Sequence, residues 1–412
     1  MFTSFNTALS ALNANATAID IVGNNLANLN TSGFKASTVS FHDLVTQSLG
    51  GAGETQVGFG VGSPVTLRQF AQGAIQSTGG PLDAAVQGDG FFIVRSPNGV
   101  QQYTRSGNFV VDTAGNLTTA TGEKVLGWNL SGGVVDPNSP IGEITLPVGS
   151  LKTPQPTTTI SADMNLDATA PLGPPPGTFS TAIEVYDSLG TSHIVNLSFT
   201  KTAANQWQYS AGIPDADVKS PFTPVTGTLT FDGSGNLVSP AASDQQPVLK
   251  IAGLADGAAD LNITWNFYNG QAPRISQFAQ KSATSALAQD GSAAANLVSV
   301  GLADGGAILA KYSNGTQVVA GQLAMATIRN PQSLLAVGDN AFETGARTAL
   351  PAIGLPGTGG RGTILGGSIE ASTADIAREF TNLIVFQRGY QANARVITTV
   401  DQMSQETVAL KQ

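Results

Sequence analysis

Two histidines, a glycine-rich hexapeptide and two acidic turns are the stretches of this 412-residue chain whose residue types could do chemistry. His42 and His193 stand 151 positions apart, in regions of different composition, and no GxSxG elbow accompanies them, so neither a catalytic triad nor a histidine-based metal site has much to draw on. Both read as surface or packing residues. The chain has no cysteine, which removes thiolate catalysis, thiolate metal sites and disulfides together. The run Gly357-Thr358-Gly359-Gly360-Arg361-Gly362 fits GxGxxG. A phosphate cradle needs a strand before that motif and a helix directly after it; here Pro356 precedes, and Thr363–Gly367 cannot open a helix. Asp112-Thr113-Ala114-Gly115-Asn116 and Asp232-Gly233-Ser234-Gly235-Asn236 offer oxygens to calcium but one carboxylate each, too few for a site, so both read as hairpin turns. The 28 acids are scattered and nothing singles out a pair. The expectation is no catalytic residue, no cofactor and no metal.

What the chain does carry is apolar spacing at its two ends. Phe5, Leu12, Ile19 and Leu26 recur every seven residues, with Leu9, Ala16, Val22 and Leu29 beside them. Near the other end Ile376, Leu383, Tyr390 and Ile397 recur every seven, Phe380 and Ala394 fall four after two of them, and the seam continues through Val400, Met403 and Leu410. Helices are predicted over 3–30 and across 368–412, the second of roughly 38 residues and about 57 Å. Ser372 and Thr373 are expected to cap it, with Asp375 in its first turn. A seam this long needs a long partner. The predicted subunit-packing residues are Phe5, Leu9, Leu12, Ile19, Leu26, Ile376, Phe380, Leu383, Tyr390, Ile397, Val400 and Met403. The polar face of the first helix carries seven Asn and a single charge, Asp20, where a solvated helix would carry Lys and Glu. Amide groups suit a helix surrounded by copies of itself.

The run from Asn24 to Lys35 (NNLANLNTSGFK) resembles the N-terminal signature of the bacterial flagellar axial proteins, the rod and hook family, and Phe380 to Met403 (FTNLIVFQRGYQANARVITTVDQM) is similar to that family's other signature. Between them, Leu82–Phe92 (LDAAVQGDGFF) resembles the family's first β-domain. The resulting organisation is an N-terminal helix at 1–33; an extended linker at 34–80, glycine-rich from Gly50 to Gly80; a first β-domain at 81–145; an inserted outer β-domain at 146–289; a returning part of the first β-domain with a glycine-rich link at 290–367, the link free to let the last helix pivot; and the C-terminal helix at 368–412. Strands are expected at Phe91–Val94, Ile183–Tyr186, His193–Thr200, Gln206–Ser210, Thr226–Phe231 and Leu261–Asn266. The expected fold class is multidomain: long terminal α-helices forming a coiled-coil-like inner domain, plus two mainly-β domains. The inserted domain resembles the outer domain of the hook branch, which shorter rod members lack.

Only 11% of residues are charged, against about 25% in an ordinary globular chain. The net charge of −9 argues against nucleic acid, and the thin charge points to a surface covered by neighbours. No stretch has the roughly 18 apolar residues of a membrane span. The N-terminus lacks the basic start of a secretory signal, its first basic residue being Lys35. The resemblance implies a structural, non-enzymatic subunit of the flagellar hook, outside the cell and exported without a cleaved signal. It would self-assemble into a curved, flexible helical tube that transmits motor torque. Its partners would be copies of itself, the rod, hook-cap and hook–filament junction proteins, and the flagellar export apparatus. The alternatives are a distal rod protein of the same family, or a secreted β-rich adhesin with helical oligomerisation ends, which would need an exposed aromatic platform.

Overall fold

The structure, a computed structural model, describes residues 2–44, 46–48, 56–130, 135–149 and 151–409. Leu410 and the tip of the glycine-rich stretch after Gly50 lie outside them. The described residues contain two α-helices, α1 (Phe2–Ala27) and α2 (Ile376–Ala409), and otherwise mostly strands. The chain packs as two compact units. One comprises Met1–Val148, Ser299–Ala310 and Gln317–Gln412; the other comprises Gly149–Val298 and Lys311–Thr316.

This overturns the expected fold class. The fold is β-rich, and the two helices do not form a helical domain of their own; they share one compact unit with β-structure. The physical reason is that the segments entering and leaving the helices are themselves paired strands. Ser368–Glu370 pairs antiparallel with Ile75–Ser77, and Thr363–Gly366 with Ala84–Gln87. The stretch expected to be irregular after α1 instead folds back on itself, Ser37–Ser40 pairing with Val65–Arg68 and Thr46–Ser48 with Gln56–Gly58. The glycines before α2 serve close approach, not a free pivot. A Cβ on Gly362 would run into the Gln87 carbonyl oxygen, and one on Gly366 into that of Leu302.

The β-part of the first unit is built around Phe91–Arg95, which pairs with Gln101–Thr104, Lys124–Asn129 and Met325–Thr327. Phe92 and Val94 point into one core cluster with Leu117, Ile144, Leu323 and Ile364, while Phe91 and Ile93 point into another with Trp128 and Phe342. A strand buried on both faces reads as an unbroken apolar run, as it does here.

The second unit is a sandwich. One sheet is the meander Thr178–Tyr186, Ser192–Ala203, Gln206–Gly212, Val225–Phe231 and Leu237–Ser239. The other is centred on Thr159–Asp167, which pairs in parallel with Leu261–Asn266 and Ile275–Phe278 and antiparallel with Ala283–Gln289. Val195, Leu197 and Phe199 alternate inward, and Phe199 and Tyr209 from one sheet meet Trp265 from the other. Trp128, Trp207 and Trp265 are all buried, which leaves none of the tryptophans for the platform an adhesin would need. The two acidic turns are closed by their own side chains: Asp112 accepts the N–H groups of Ala114 and Asn116, and Asp232 those of Ser234 and Asn236. The GxGxxG run lies between the strands Ala352–Gly354 and Thr363–Gly366, closed by Gly357 N–H donating to the Gly362 carbonyl, and no helix follows it.

Candidate self-assembly surface

α1 and α2 run antiparallel. The Asn25 amide donates to Glu379 Oε1 at 3.2 Å, and ten residues further along each helix Asn15 meets Gly389, where an added Cβ would stand 2.8 Å from Asn15 Oδ1. The cap of α2 is Asp375, whose Oδ1 accepts the Arg378 N–H at 2.8 Å. Ser372 and Thr373 do not cap it. The Ser372 hydroxyl accepts the Ala374 N–H, and the Thr373 hydroxyl accepts the Ala36 N–H at 2.8 Å, stitching the approach to α2 onto the exit from α1.

That junction is held by a buried ion cluster. Glu370 Oε1 accepts Lys35 Nζ and the Gly73 N–H, both at 2.7 Å, and its Oε2 accepts Arg105 Nη1 at 3.3 Å. Lys35 also donates to the Ala71 carbonyl, and Arg105 to that of Gly88, with its guanidinium over the Phe91 ring. Burial pushes the Lys35 ammonium below its ordinary value; Glu370, through charge and hydrogen bond, pulls the other way. The Arg105 guanidinium is likewise lowered by burial and supported by Glu370. Asn25 adds a second tie: its amide donates to the Ser37 carbonyl and accepts the Ser37 N–H, so one buried side chain joins α1, α2 and the strand after α1.

On α1 the covered face is not the heptad seam, whereas on α2 it takes in much of it. The buried side of α1 is Ala8, Ala14, Ala18, Val22 and Asn25, small residues at helical spacing that sequence reasoning passed over. Phe5 and Leu9 are exposed, and Leu12, Ile19 and Leu26 only half-buried. At about 100° per residue these five share one flank, about 100° around from the buried side. On α2 the stripe toward α1 is half-buried and includes Leu383, Phe386, Gly389, Asn393, Ile397 and Val400, with Tyr390 exposed at its edge. Ile376, Phe380 and Ile384 climb one flank of that stripe, and Val385, Val396 and Met403 lie on the other, roughly 120° and 90° away from it. All six are exposed, Val385 at 59% and Ile376 at 55%. None of the twelve predicted packing residues is buried. Ile384, Val385 and Val396 were missed because they fall outside the heptad count. The strands after α1 add exposed Phe41, Leu44, Phe59, Val65 and Leu67, and the Phe41 ring lies 6.0 Å from that of Phe386. Arg388 and Arg395, seven apart, mark the polar face between the flanks of α2. This arrangement offers apolar area to a protein surface.

Four family models match the chain. They are described as Flagella basal body rod protein (5–35), Flagellar hook protein FlgE/F/G D1 domain (85–164), Flagellar basal body protein FlaE D2 domain (156–292) and Flagellar basal body rod FlgEFG protein C-terminal (365–410). Among curated relatives, the flagellar hook protein FlgE of Salmonella typhimurium is 33% identical over 421 residues, covering 99% of this chain and 100% of the relative. That of Borreliella burgdorferi is 33% identical over 448 residues, covering 100% of each. The crystal structure of Helicobacter pylori flagellar hook protein FlgE2 matches 70% of this chain and 99% of its own with a TM-score of 0.54 at 14% identity, a likeness of fold.

Proposed function

The chain belongs to the flagellar hook protein family as a structural subunit of the hook, and from that premise we propose how it recognises its own copies. The carrying observation is that α2 is apolar on both sides of the stripe that α1 occupies. A helix with one covered face and two open apolar flanks is shaped for a neighbour on each side. Because the two flanks differ in sequence, the contact is head-to-tail and open, and repetition produces a helical tube, not a closed dimer. The flank of α1 that carries Phe5, Leu9, Leu12, Ile19 and Leu26 is a further contact, and the strands around Phe41 and Phe59 extend it. Fully burying a side chain of this kind is worth about 1.5–3 kcal/mol, and these are about half covered already, so the contact draws on all the flanks together to offset the cost of association. The tube would be the curved shaft that passes torque from motor to filament. The rod, hook-cap and junction proteins would meet the same faces at its ends, and the chain would reach its tip through the flagellar export apparatus without a cleaved signal.

The test is assembly of purified protein followed by electron microscopy. Ile384→Glu with Val385→Glu should leave the circular dichroism spectrum unchanged and abolish tubes. Leu350→Glu, at a 94% exposed apolar residue away from these faces, should assemble normally. Tubes formed by the double variant at wild-type concentration would remove the reading.

A further inference from the structure

Away from the helices, four residues from separate stretches of the sandwich unit meet around one imidazole. Asp187 follows the strand Thr178–Tyr186, His193 is the second residue of Ser192–Ala203, Asp217 closes the short 3-10 turn Asp215–Asp217, and Asp256 lies in the loop after Val248–Ile251. His193 is 5% exposed and Asp187 fully buried. Nε2 of His193 is 3.1 Å from Asp187 Oδ2 and 3.8 Å from Asp256 Oδ2. Nδ1 is 3.5 Å from Asp217 Oδ2 and makes no hydrogen bond. Among the described residues no Lys or Arg forms an ion pair with any of the three carboxylates.

Three observations converge on a cation. The first is charge: three carboxylates gather on one buried ring, Asp187 fully buried and Asp217 and Asp256 reaching solvent, so the cluster concentrates negative charge at the protein surface around an imidazole. The second is spacing. The donor atoms of Asp187, His193 and Asp256 lie within 4.8 Å of one another, and metal–ligand bonds of about 2.0–2.2 Å in a tetrahedral site place donors roughly 3.3 Å apart. The third is the outer shell. Asp187 Oδ1 is fixed by the N–H groups of Leu189 at 2.8 Å and Thr191 at 2.9 Å, which leaves Oδ2 for the ion. A metal-bound histidine normally gives its other ring N–H to a carboxylate, and Asp217 Oδ2 lies 3.5 Å from the unpartnered Nδ1.

We propose that Asp187 Oδ2, His193 Nε2 and Asp256 Oδ2 bind a divalent transition-metal ion of the zinc type, with Asp217 as the carboxylate that orients the ring. Imidazole with two carboxylates suits zinc; calcium and magnesium call for more oxygen ligands and no imidazole. With the ion on Nε2, the ring carries its one proton on Nδ1, toward Asp217. The partly exposed side of Asp256 leaves the fourth position to water. The ion would join the hairpin end of one sheet to the loops at the end of the facing sheet, beside the bridge between Val218 and Leu254.

The experiment uses the full chain as monomer, stripped with a chelator and titrated with Zn2+ by calorimetry, with Co2+ absorption reporting the ligand set. The expected result is one ion per chain and a rise in the melting temperature of the sandwich unit with Zn2+ concentration. Asp256→Asn, at the exposed side of the cluster, should abolish both while keeping the metal-free melting temperature. Asp217→Asn should weaken binding by about 10–100-fold. His42→Gln should change nothing. Absence of saturable binding, binding indifferent to Asp256→Asn and Asp217→Asn, or His193 ring-nitrogen NMR signals unmoved by Zn2+ would each overturn the proposal.

Discussion

Lys35 Nζ lies 2.7 Å from Glu370 Oε1, and neither side chain reaches solvent. The two residues are 335 positions apart, and their contact sets where the chain leaves one terminal helix and approaches the other. Glu370 is the shared anion, since Arg105 leans on its other oxygen.

Glu370→Gln should therefore cost more than Lys35→Met. The first strands two buried cations, and breaking a buried pair from one side costs about 3–5 kcal/mol. The second leaves Glu370 still paired with Arg105. Hydrogen exchange at residues 33–36 and 368–373 should accelerate in both variants, more in Glu370→Gln; the reverse order would refute the shared-anion account.

At the contact of Asn15 with Gly389, size decides the outcome. Gly389→Ala moves a flexible amide and gains helix propensity of about 1 kcal/mol, so melting should shift little. Gly389→Leu cannot be housed there and should pry α1 from α2, seen as lost exchange protection in α1. Equal effects of the two substitutions would mean the helices do not touch at this point.

Trp265 is fully buried among Phe199, Tyr209 and Phe267. Trp265→Ala should destabilise the sandwich unit by about 3–5 kcal/mol. Calorimetry should show that transition lowered while the unit that holds the helices melts as before. A common shift of both would show one cooperative block.

Asp290 is one of several carboxylates in the sandwich unit held below their ordinary value. Burial alone would raise its carboxyl, but the Thr158 hydroxyl and the N–H groups of Thr159 and Thr158 outweigh it and hold it below its ordinary value of 3.8. Between the folded and unfolded values the unfolded chain binds more protons, so stability rises with pH there. The contribution is complete above 3.8 and is lost as pH falls through the folded value. Asp290→Asn should flatten the acid limb of sandwich stability measured by urea unfolding between pH 5 and pH 2. An unchanged slope would assign the acid sensitivity to other carboxylates.

Local patterns were legible in the residues themselves. An unbroken apolar run placed the strand at Phe91–Val94, alternation placed that at His193–Thr200, Asp-x-x-Gly-Asn chemistry placed both turns, and the seven-residue apolar repeat placed both helices, because each depends on neighbours a few positions away. The two terminal signatures also carried the family. What no local pattern could decide was which face of each helix would be covered. The heptads marked apolar residues, but on α1 the covered side is the alanine side and the heptad flank is left exposed or half-buried, while on α2 Leu383, Ile397 and Val400 fall on the covered stripe. Nor could spacing reveal that Lys35, Arg105 and Glu370 share one dry site, or that His193 sits among Asp187, Asp217 and Asp256. Those groupings exist only after distant strands have paired, because a buried charge chooses its partners by distance in space and not by position along the chain.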